Sequence, residues 1–202
     1  RYNSNLSRIH YKGIDLGKDI LNKIRDWQVC ASIDGTGEIG EYIRTGLKYE
    51  QFVDNFRSLL PLARNKRMMR LDYTLTLPGM FDVENMQALA NQLDVDILAK
   101  TIFTFTPDII MSPLALPRKI LDQFVDQLIK NNSLGRALAD VLTQLKNRPT
   151  MQEQWPEEYI QGMRKGKKRV HTLERIRNDK FTMRDILSKD KEILHWWESI
   201  DA

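Results

Sequence analysis

Two segments in which apolar and polar residues strictly alternate constrain the fold of this chain more than any other feature. In QVCASID, residues 28–34, Val29, Ala31 and Ile33 form one face, and mostly small polar side chains form the other. In MRLDYTLTL, residues 69–77, bulky apolar residues alternate with charged and hydroxyl residues. A period of two places successive side chains on opposite faces of a strand. Both segments are therefore predicted to be β-strands with one apolar and one polar face.

Helical segments are predicted between these strands. Apolar residues recur at helical spacing in residues 15–26, 48–60 and 82–93, and the first and third of these segments begin at an aspartate that can act as an N-cap. Further strands are predicted at residues 2–7 and 97–106. The alternation of strand and helix implies a parallel sheet with right-handed crossover connections.

The polar strand faces favour one kind of parallel sheet. Strands of an open doubly wound sheet are covered on both faces and are usually apolar throughout. Half-polar strands suit a barrel or part-barrel, in which one face packs on helices and the other lines an interior cavity. Solvated strand faces would give the same pattern. We expect an α/β fold with a parallel part-barrel in residues 1–110.

The region after residue 110 is predicted to be helical. Apolar residues at helical spacing indicate a helix at 116–130 and another that Ser133 can cap. Residues 164–177 are strongly basic, and the tail ends with an apolar stripe around a tryptophan pair that can dock on the main domain. Residues 111–202 are therefore expected to form a helical extension.

Composition limits the classes of protein to which this chain can belong. It has 202 residues, of which 42% are apolar, and a formal charge of +4, which suits one large domain or one domain with an appendage. A single cysteine excludes an intrachain disulfide framework and an all-cysteine metal site built by this chain alone. No apolar run of about eighteen residues and no secretory leader is visible, so we expect a cytoplasmic protein without a membrane partner.

The end of the strand at 28–34 is the best candidate for a functional site. Ser32 and Asp34 lie on its polar face, and a glycine-rich loop leads from them to Arg44. In parallel α/β proteins, ligands bind at the loops that follow the carboxyl ends of strands. The alternative is an ordinary strand-to-helix connection in which Asp34 and Thr36 cap a helix.

Three segments resemble radical SAM enzymes, particularly those with a C-terminal twitch or SPASM-type extension. SIDG at 32–35, in register with GEIGEYIRTG at 37–46, resembles the fourth strand of that family and its following loop. NSNLS at 3–7 is similar to the preceding strand, where Asn-Thr-Asn is usual and this chain has Ser4. LERIRNDKFTMRDILSKDKEILHWWE at 173–198 is similar to the family's Leu-Asp-x-x-Arg tail, which leads to a Trp-Trp pair.

The resemblance implies a more specific architecture than the periodicity does. The chain would be the C-terminal part of a partial (β/α)6 barrel of parallel strands, from the third strand onward. The strands at 69–77 and 97–106 would be the fifth and sixth strands of that barrel. Residues 1–110 would belong to the partial barrel, and residues 111–202 would form the helical, twitch-like extension.

The resemblance also implies an activity for which this chain alone is not sufficient. Radical SAM enzymes bind S-adenosylmethionine and a [4Fe–4S] cluster, accept an electron from a reductant protein and generate a radical that modifies a peptide, a nucleic acid or a small molecule. Three closely spaced cysteines hold that cluster, whereas Cys30 is the single cysteine here. The cluster ligands are therefore expected outside this chain, in an earlier part of a longer enzyme; a degenerate relative that has lost the chemistry is the less favoured alternative.

The resemblance implies cofactor-binding roles for six residues, while the catalytic residues stay unknown and no metal ligand is expected in this chain. The six residues are Asn5, Ser32, Asp34, Arg44, Thr74 and Thr76. Ser32 and Asp34 would hydrogen-bond the ribose and neighbouring groups of S-adenosylmethionine. Arg44 would pair with the methionine carboxylate or support Glu41, and the two threonines would lie beside the adenine or ribose.

Ordinary structural roles compete with these assignments. Arg44 can equally form a surface ion pair with Glu38 or Glu41, and the two threonines can be plain β-branched strand residues. Lys100 could face the substrate, together with two later threonines at 104 and 106, although lysine is also common at strand edges. The three histidines are scattered, so no zinc site is expected.

Two other classes of function compete with the radical SAM hypothesis. Seven lysines and arginines in residues 164–177 could neutralise phosphates along a helix, as in a nucleic-acid-binding module. Aromatic residues for base stacking are not interleaved there, and a charge run is usually a solvated helix face. The third class is a barrel enzyme that does not use S-adenosylmethionine, for which no late glycine-rich phosphate loop is evident.

Overall fold

The computed structural model describes residues 1–102, 104–131 and 133–201, and within them the chain is an α/β protein built on a parallel sheet. The strands in chain order are β1 (Tyr2–Ser4), β2 (His10–Tyr11), β3 (Ile14–Asp15), β4 (Val29–Ile33), β5 (Met69–Leu75) and β6 (Asp96–Thr101). The order in the main sheet is β1-β4-β5-β6, and each neighbouring pair is parallel. The predicted α/β class and parallel sheet are therefore confirmed.

The helices connect the strands and then form most of the C-terminal half. They are α1 (Gly37–Ile43), α2 (Tyr49–Leu59), α3 (Val83–Leu93), α4 (Arg118–Lys130), α5 (Arg136–Lys146), α6 (Met151–Gln154), α7 (Tyr159–Arg177), α8 (Met183–Leu187) and α9 (Lys191–Ser199). The central strands are joined through α2 and α3, as the alternation of strand and helix predicts.

One face of the sheet is apolar and forms one side of the hydrophobic core. Parallel pairing sets Val29 against Met69, Ala31 against Leu71 and Ile33 against Tyr73, so the apolar residues of β4 and β5 share a face. These residues belong to one buried cluster with the apolar residues of α2 and α3. Burial of each large side chain stabilises the fold by roughly 1.5–3 kcal/mol. The apolar face is therefore held against helices.

The opposite face of the same sheet is polar. The residues that alternate with the apolar set are in register across the strands: Asn3 with Cys30, Cys30 with Arg70, Ser32 with Asp72, and Thr74 with Lys100. The polar residues of the two alternating segments therefore share one face of the sheet, while the prediction that this face lines an interior cavity stays a prediction.

The segment between β1 and β4 differs from the prediction of one helix over 15–26. A hairpin formed by β2 and β3 comes first, and its two-residue turn has positive φ at Lys12 and Gly13, as a type I′ turn requires. Asp15 then caps a single π-helical turn at Leu16–Ile20, which a short 3₁₀ turn follows. A glycine inside this segment costs about 1 kcal/mol relative to alanine in a helix, which disfavours a continuous α-helix.

Two other boundaries differ from expectation. The strand predicted over 97–106 ends at Thr101, which pairs with Leu75, the last residue of β5. Residue 103 of that prediction lies outside the described residues. Ser133 does not cap α5, whose N-cap is Gly135. The Ser133 hydroxyl instead donates to Glu84 on α3.

The C-terminal tail docks on the body of the protein, as its apolar stripe predicts. Trp196 and Trp197 of α9 are buried, and the ammonium of Lys167 on α7 donates to the carbonyl oxygens of Trp197 at 2.9 Å and of Ile200 at 2.6 Å. These carbonyls lie at the C-terminal end of α9, where backbone acceptors lack intrahelical donors. Lys167 is therefore the cap of the last helix, and its burial lowers the pKa of the ammonium.

Lys167→Met should destabilise the fold by about 1–3 kcal/mol, because the buried carbonyl acceptors of α9 would lose their donor. The control is Lys168→Met, at the next residue of α7, whose side chain is exposed and whose loss should change stability by about 0.5 kcal/mol or less. Urea unfolding of both variants measures the difference. Equal midpoints for the two variants would contradict the capping role.

Candidate functional site

An ion pair between Asp34 and Arg44 lies at the carboxyl end of β4. Arg44 donates to the Asp34 carboxylate from Nε at 2.6 Å and from Nη2 at 3.2 Å. The backbone N–H of Thr74 donates to the same carboxylate at 3.3 Å. The side chains are 11% exposed for Asp34 and 30% exposed for Arg44, so solvent screens the pair only partly. Asp34 thus joins the guanidinium to the backbone of β5.

This geometry contradicts the surface ion pair expected for Arg44 and bears out part of the capping alternative. Arg44 does not pair with Glu38 or Glu41; the Glu41 carboxylate accepts the backbone N–H of Tyr49 instead. Thr36 occupies the N-cap position of α1, as the capping alternative expects, although the Thr36 side chain makes no capping bond, and Asp34 does not cap the helix. The partner of Arg44 lies ten residues earlier in the chain, at the carboxyl end of the strand.

A short helix that sequence reasoning assigned to a loop brings Arg44 back to the strand end. In α1, Gly40 packs directly on the backbone of Gly35, and a Cβ at Gly40 would lie 2.2 Å from the Gly35 carbonyl oxygen. Only glycine allows this approach. The close contact turns α1 back toward the strand end, and the residues that follow α1 place the arginine beside Asp34.

Helix α7, in the C-terminal half of the chain, binds the residues on either side of Arg44. Tyr42 donates from its hydroxyl to Glu174 at 2.9 Å. Arg177 donates to the Tyr42 carbonyl at 3.1 Å and to the Thr45 hydroxyl at 3.0 Å, and its guanidinium lies 5.2 Å from the centre of the Tyr42 ring. Burial, followed by the nearby Glu174 carboxylate, raises the pKa of Tyr42, which keeps its hydroxyl protonated as a donor. The residues on both sides of Arg44 are therefore fixed by α7.

The polar face carries a second ion pair, one strand further along. The Lys100 ammonium lies 2.8 Å from the Asp72 carboxylate, and their side chains are 51% and 4% exposed. Two residues before Asp72, Arg70 donates to the Cys30 thiol and to the Gln28 amide oxygen, both at 3.3 Å. Lys100 lies on β6, the edge strand of the four-stranded sheet, as the strand-edge interpretation expects, and its ammonium is also paired with a buried carboxylate.

Two hydroxyls on this face keep their hydrogen-bonding capacity. Ser32 and Thr74 are partly exposed, and within the described part of the chain neither side-chain hydroxyl has a hydrogen-bond partner. A hydroxyl can donate one hydrogen bond and accept two. Six residues are predicted to bind the cofactor. Of these, the pairing of β4 with β5 and the bonds to the Asp34 carboxylate bring Ser32, Thr74 and Arg44 together.

The other two predicted residues have local partners. The Thr76 hydroxyl is buried and accepts the backbone N–H of Gly79 at 3.0 Å. The Asn5 side chain is exposed and accepts from the backbone and hydroxyl of Ser7. Both side chains stabilise turns. Neither side chain is hydrogen-bonded to Asp34 or Arg44, and their cofactor-binding roles stay predictions.

A buried carboxylate ties the loop after β4 to α3. Asp82 accepts from the backbone N–H and the hydroxyl of Thr36 and, at 2.7 Å, from Asn85. Asp82 occupies the N-cap position of α3 as predicted, but its side chain makes no capping bond. Burial raises the pKa of Asp82 above its usual 3.8, against the opposing effect of these donors.

The basic residues of α7 are mostly engaged within the protein. Arg164 pairs with Asp201, and both Lys165 and Arg169 pair with Asp108. Lys167 caps α9, and Arg177 binds the loop after α1. Of the seven basic residues at 164–177, Lys168 and Arg175 are those whose side chains have no bonding partner among the described residues. This reduces the charge that the helix offers to phosphates.

Comparison of the chain with protein-family models, with curated proteins and with solved structures finds no match. Within the described residues, no group of three or more histidine, cysteine, aspartate or glutamate side chains is placed to hold a metal ion. In the same part of the chain, no helix has both the length and the apolar character needed to cross a bilayer. The candidate site therefore has to be interpreted from its own geometry.

Arg177→Met should loosen the loop that carries Arg44, since both Arg177 bonds, to the Tyr42 carbonyl and the Thr45 hydroxyl, would be lost while the bond between Tyr42 and Glu174 remains. We expect amide hydrogen exchange at residues 44–47 to accelerate by about tenfold or more, which corresponds to about 1.4 kcal/mol of local opening free energy. Arg175→Met is the control, because that side chain is exposed and unpaired among the described residues. Equal exchange rates in the two variants would show that α7 does not hold the loop.

Asp82→Asn should change how stability depends on pH. The folded state binds the Asp82 proton more tightly than the unfolded chain does, so the contribution of Asp82 is most favourable below pH 3.8 and declines as the pH rises through its raised folded pKa. The unfolding free energy of the wild type, relative to the variant, should therefore fall as the pH rises from 3.8 through the raised folded pKa of Asp82. Urea unfolding at a series of pH values above 3.8 measures this change, and a pH-independent difference would show that the pKa of Asp82 is not raised by folding.

Proposed function

We propose that this chain is the part of a radical SAM enzyme that binds S-adenosylmethionine, and that residues outside this chain hold the [4Fe–4S] cluster. The observation that carries the proposal is the Asp34–Arg44 pair at the carboxyl end of β4, beside the unpartnered hydroxyls of Ser32 and Thr74. Arginine is suited to a ligand carboxylate, and hydroxyls are suited to a ribose. All four residues belong to segments whose sequence resembles, or adjoins, that family's cofactor-binding strands.

The order of strands supports the more specific architecture. In the sheet β1-β4-β5-β6, each strand is added beside the one before it in the sequence, as in (β/α) barrels. A doubly wound sheet reverses its strand order at a switch point, and the four strands here do not reverse. We therefore propose that the sheet is the C-terminal part of a partial (β/α)6 barrel, with its polar face toward the interior and α4 to α9 as the twitch-like extension.

The residues on the polar face fit S-adenosylmethionine. The Ser32 and Thr74 hydroxyls can bind the ribose, and Arg44 retains the N–H groups of Nη1 for the methionine carboxylate. The Asp34 carboxylate already accepts three hydrogen bonds, which leaves about one of its roughly four acceptor positions. We therefore assign Asp34 chiefly to the orientation of Arg44, rather than to direct contact with the ribose.

The residues do not fit the iron–sulfur cluster. Cys30 is buried on β4, and its thiol accepts a hydrogen bond from Arg70; one thiolate cannot provide the ligands of a cluster. When bound beside a reduced cluster, S-adenosylmethionine supplies a radical for hydrogen abstraction from a substrate. In this proposal the chain contributes cofactor orientation and part of the cavity wall. A reductant protein and a peptide, nucleic-acid or small-molecule substrate are the expected partners, in the cytoplasm.

Titration of the chain with S-adenosylmethionine tests the proposal. Amide shifts should move at Ser32, Arg44 and Thr74, and Arg44→Gln should weaken binding by about ten- to a hundredfold, because a charge-assisted hydrogen bond is worth about 1.5–3 kcal/mol. Arg184→Gln is the matched control, since Arg184 also uses Nε and Nη2 to pair with a carboxylate, that of Glu198. No binding by the wild type, or equal binding by both variants, would reject the proposal.

A double-mutant cycle separates the two roles of Asp34. If Asp34 acts by orienting Arg44, Asp34→Asn combined with Arg44→Gln should bind S-adenosylmethionine no more weakly than Arg44→Gln alone. If Asp34 contacts the ribose directly, the two losses should add. Retained urea midpoints would show that the variants remain folded.

A further inference from the structure

The Asp72–Lys100 pair is built differently from a surface ion pair. A carboxylate with 4% exposure is costly to keep charged unless a cation and hydrogen bonds compensate for its lost hydration. Lys100 supplies that compensation with one donor, while half of its side chain stays exposed. An ammonium has three donors, and the other two have no partner within the described part of the chain. The pair therefore presents a fixed cation with unused donors.

The Lys66–Asp94 pair provides an internal comparison. There the lysine side chain is 62% exposed and the aspartate side chain is 78% exposed, as is usual for surface ion pairs, which contribute little to stability. Cross-strand charge pairs stabilise a sheet by a similar amount without burial of the carboxylate. Sheet stability alone therefore does not account for the burial of Asp72.

The position of Lys100 relates it to the candidate cofactor site. Lys100 is paired in register with Thr74 on β5, and the backbone N–H of Thr74 is bonded to Asp34, the partner of Arg44. Arg44 is held by Asp34 at the end of β4, whereas Lys100 extends from β6, on the other side of β5. Lys100 therefore lies beside the candidate cofactor site.

We propose that Lys100 binds a carboxylate group of the substrate, with Asp72 as the positioning residue that holds the ammonium on the polar face. The location of this substrate next to the cofactor rests on the proposed function above. A carboxylate matches the site because it carries one negative charge and can accept both remaining donors. A phosphate dianion would lie close to the buried Asp72 carboxylate, with only one ammonium to compensate. The substrate class is therefore a carboxylate-bearing molecule.

The test is a titration of the chain with glutarate, followed by amide NMR, with glutaramide and inorganic phosphate as comparison ligands. Shifts should map to Asp72, Thr74 and Lys100, and Lys100→Gln should weaken glutarate binding at least tenfold. Lys66→Gln, which removes the exposed pair, should leave binding unchanged. Equal binding of glutarate by Lys100→Gln and wild type, or binding of glutaramide as tight as that of glutarate, overturns the proposal. Tighter binding of phosphate at the same residues overturns the assignment to a carboxylate.

A second variant removes the ambiguity of folding. Lys100→Gln leaves a buried carboxylate without its cation, so Asp72→Asn combined with Lys100→Gln is measured beside it, and this neutral pair should also bind glutarate at least tenfold more weakly. The same samples are titrated with S-adenosylmethionine. Wild type that binds glutarate but not S-adenosylmethionine would reject the proposed function and leave the carboxylate site standing; the reverse result would reject the carboxylate site alone.

Discussion

The in-register parallel pairing of β4 with β5 is the constraint on which the other features depend. It sets Val29 against Met69 and Ile33 against Tyr73, so one face is continuous enough to bury α2 and α3. The same pairing necessarily places the alternate residues together on the other face. If β5 were shifted by one residue relative to β4, Asp72 would face the hydrophobic core. The energetic penalty of burying that carboxylate among apolar side chains specifies the register.

The polar face carries cations whose positions are fixed by partners on the sheet. Asp34 fixes Arg44, Asp72 fixes Lys100, and Cys30 fixes Arg70 together with a glutamine on the same strand. Because each of the two ion-paired cations is held by a largely buried carboxylate, less side-chain entropy is lost when it meets a ligand. This arrangement supports the proposal that the face binds a ligand, and the sequential strand order supports the proposal that the face belongs to a barrel interior.

The C-terminal helices contribute to the site through contacts between residues far apart in the chain. Glu174 and Arg177 hold Tyr42 and the loop beside Arg44. Lys167, on the same helix, holds the end of α9. One helix therefore connects the docking of the tail to the position of the guanidinium, and the extension is part of the support of the candidate site.

The sequence by itself determined the four strands of the main sheet, the two faces of β4 and β5, the parallel pairing and the approximate positions of α2, α3 and α4, because side-chain periodicity is a local property that hydrophobic burial enforces. Only the tertiary structure decided that Arg44 pairs with Asp34 rather than with a neighbouring glutamate, that α1 turns on the contact between Gly40 and Gly35, and that Tyr42 meets Glu174 across 132 positions of the chain. Each of these contacts joins two segments of the chain, and the residue pattern of one segment does not indicate which other segment it will contact. They form when the helices pack on the sheet, since that packing decides which charged groups lie within hydrogen-bonding distance.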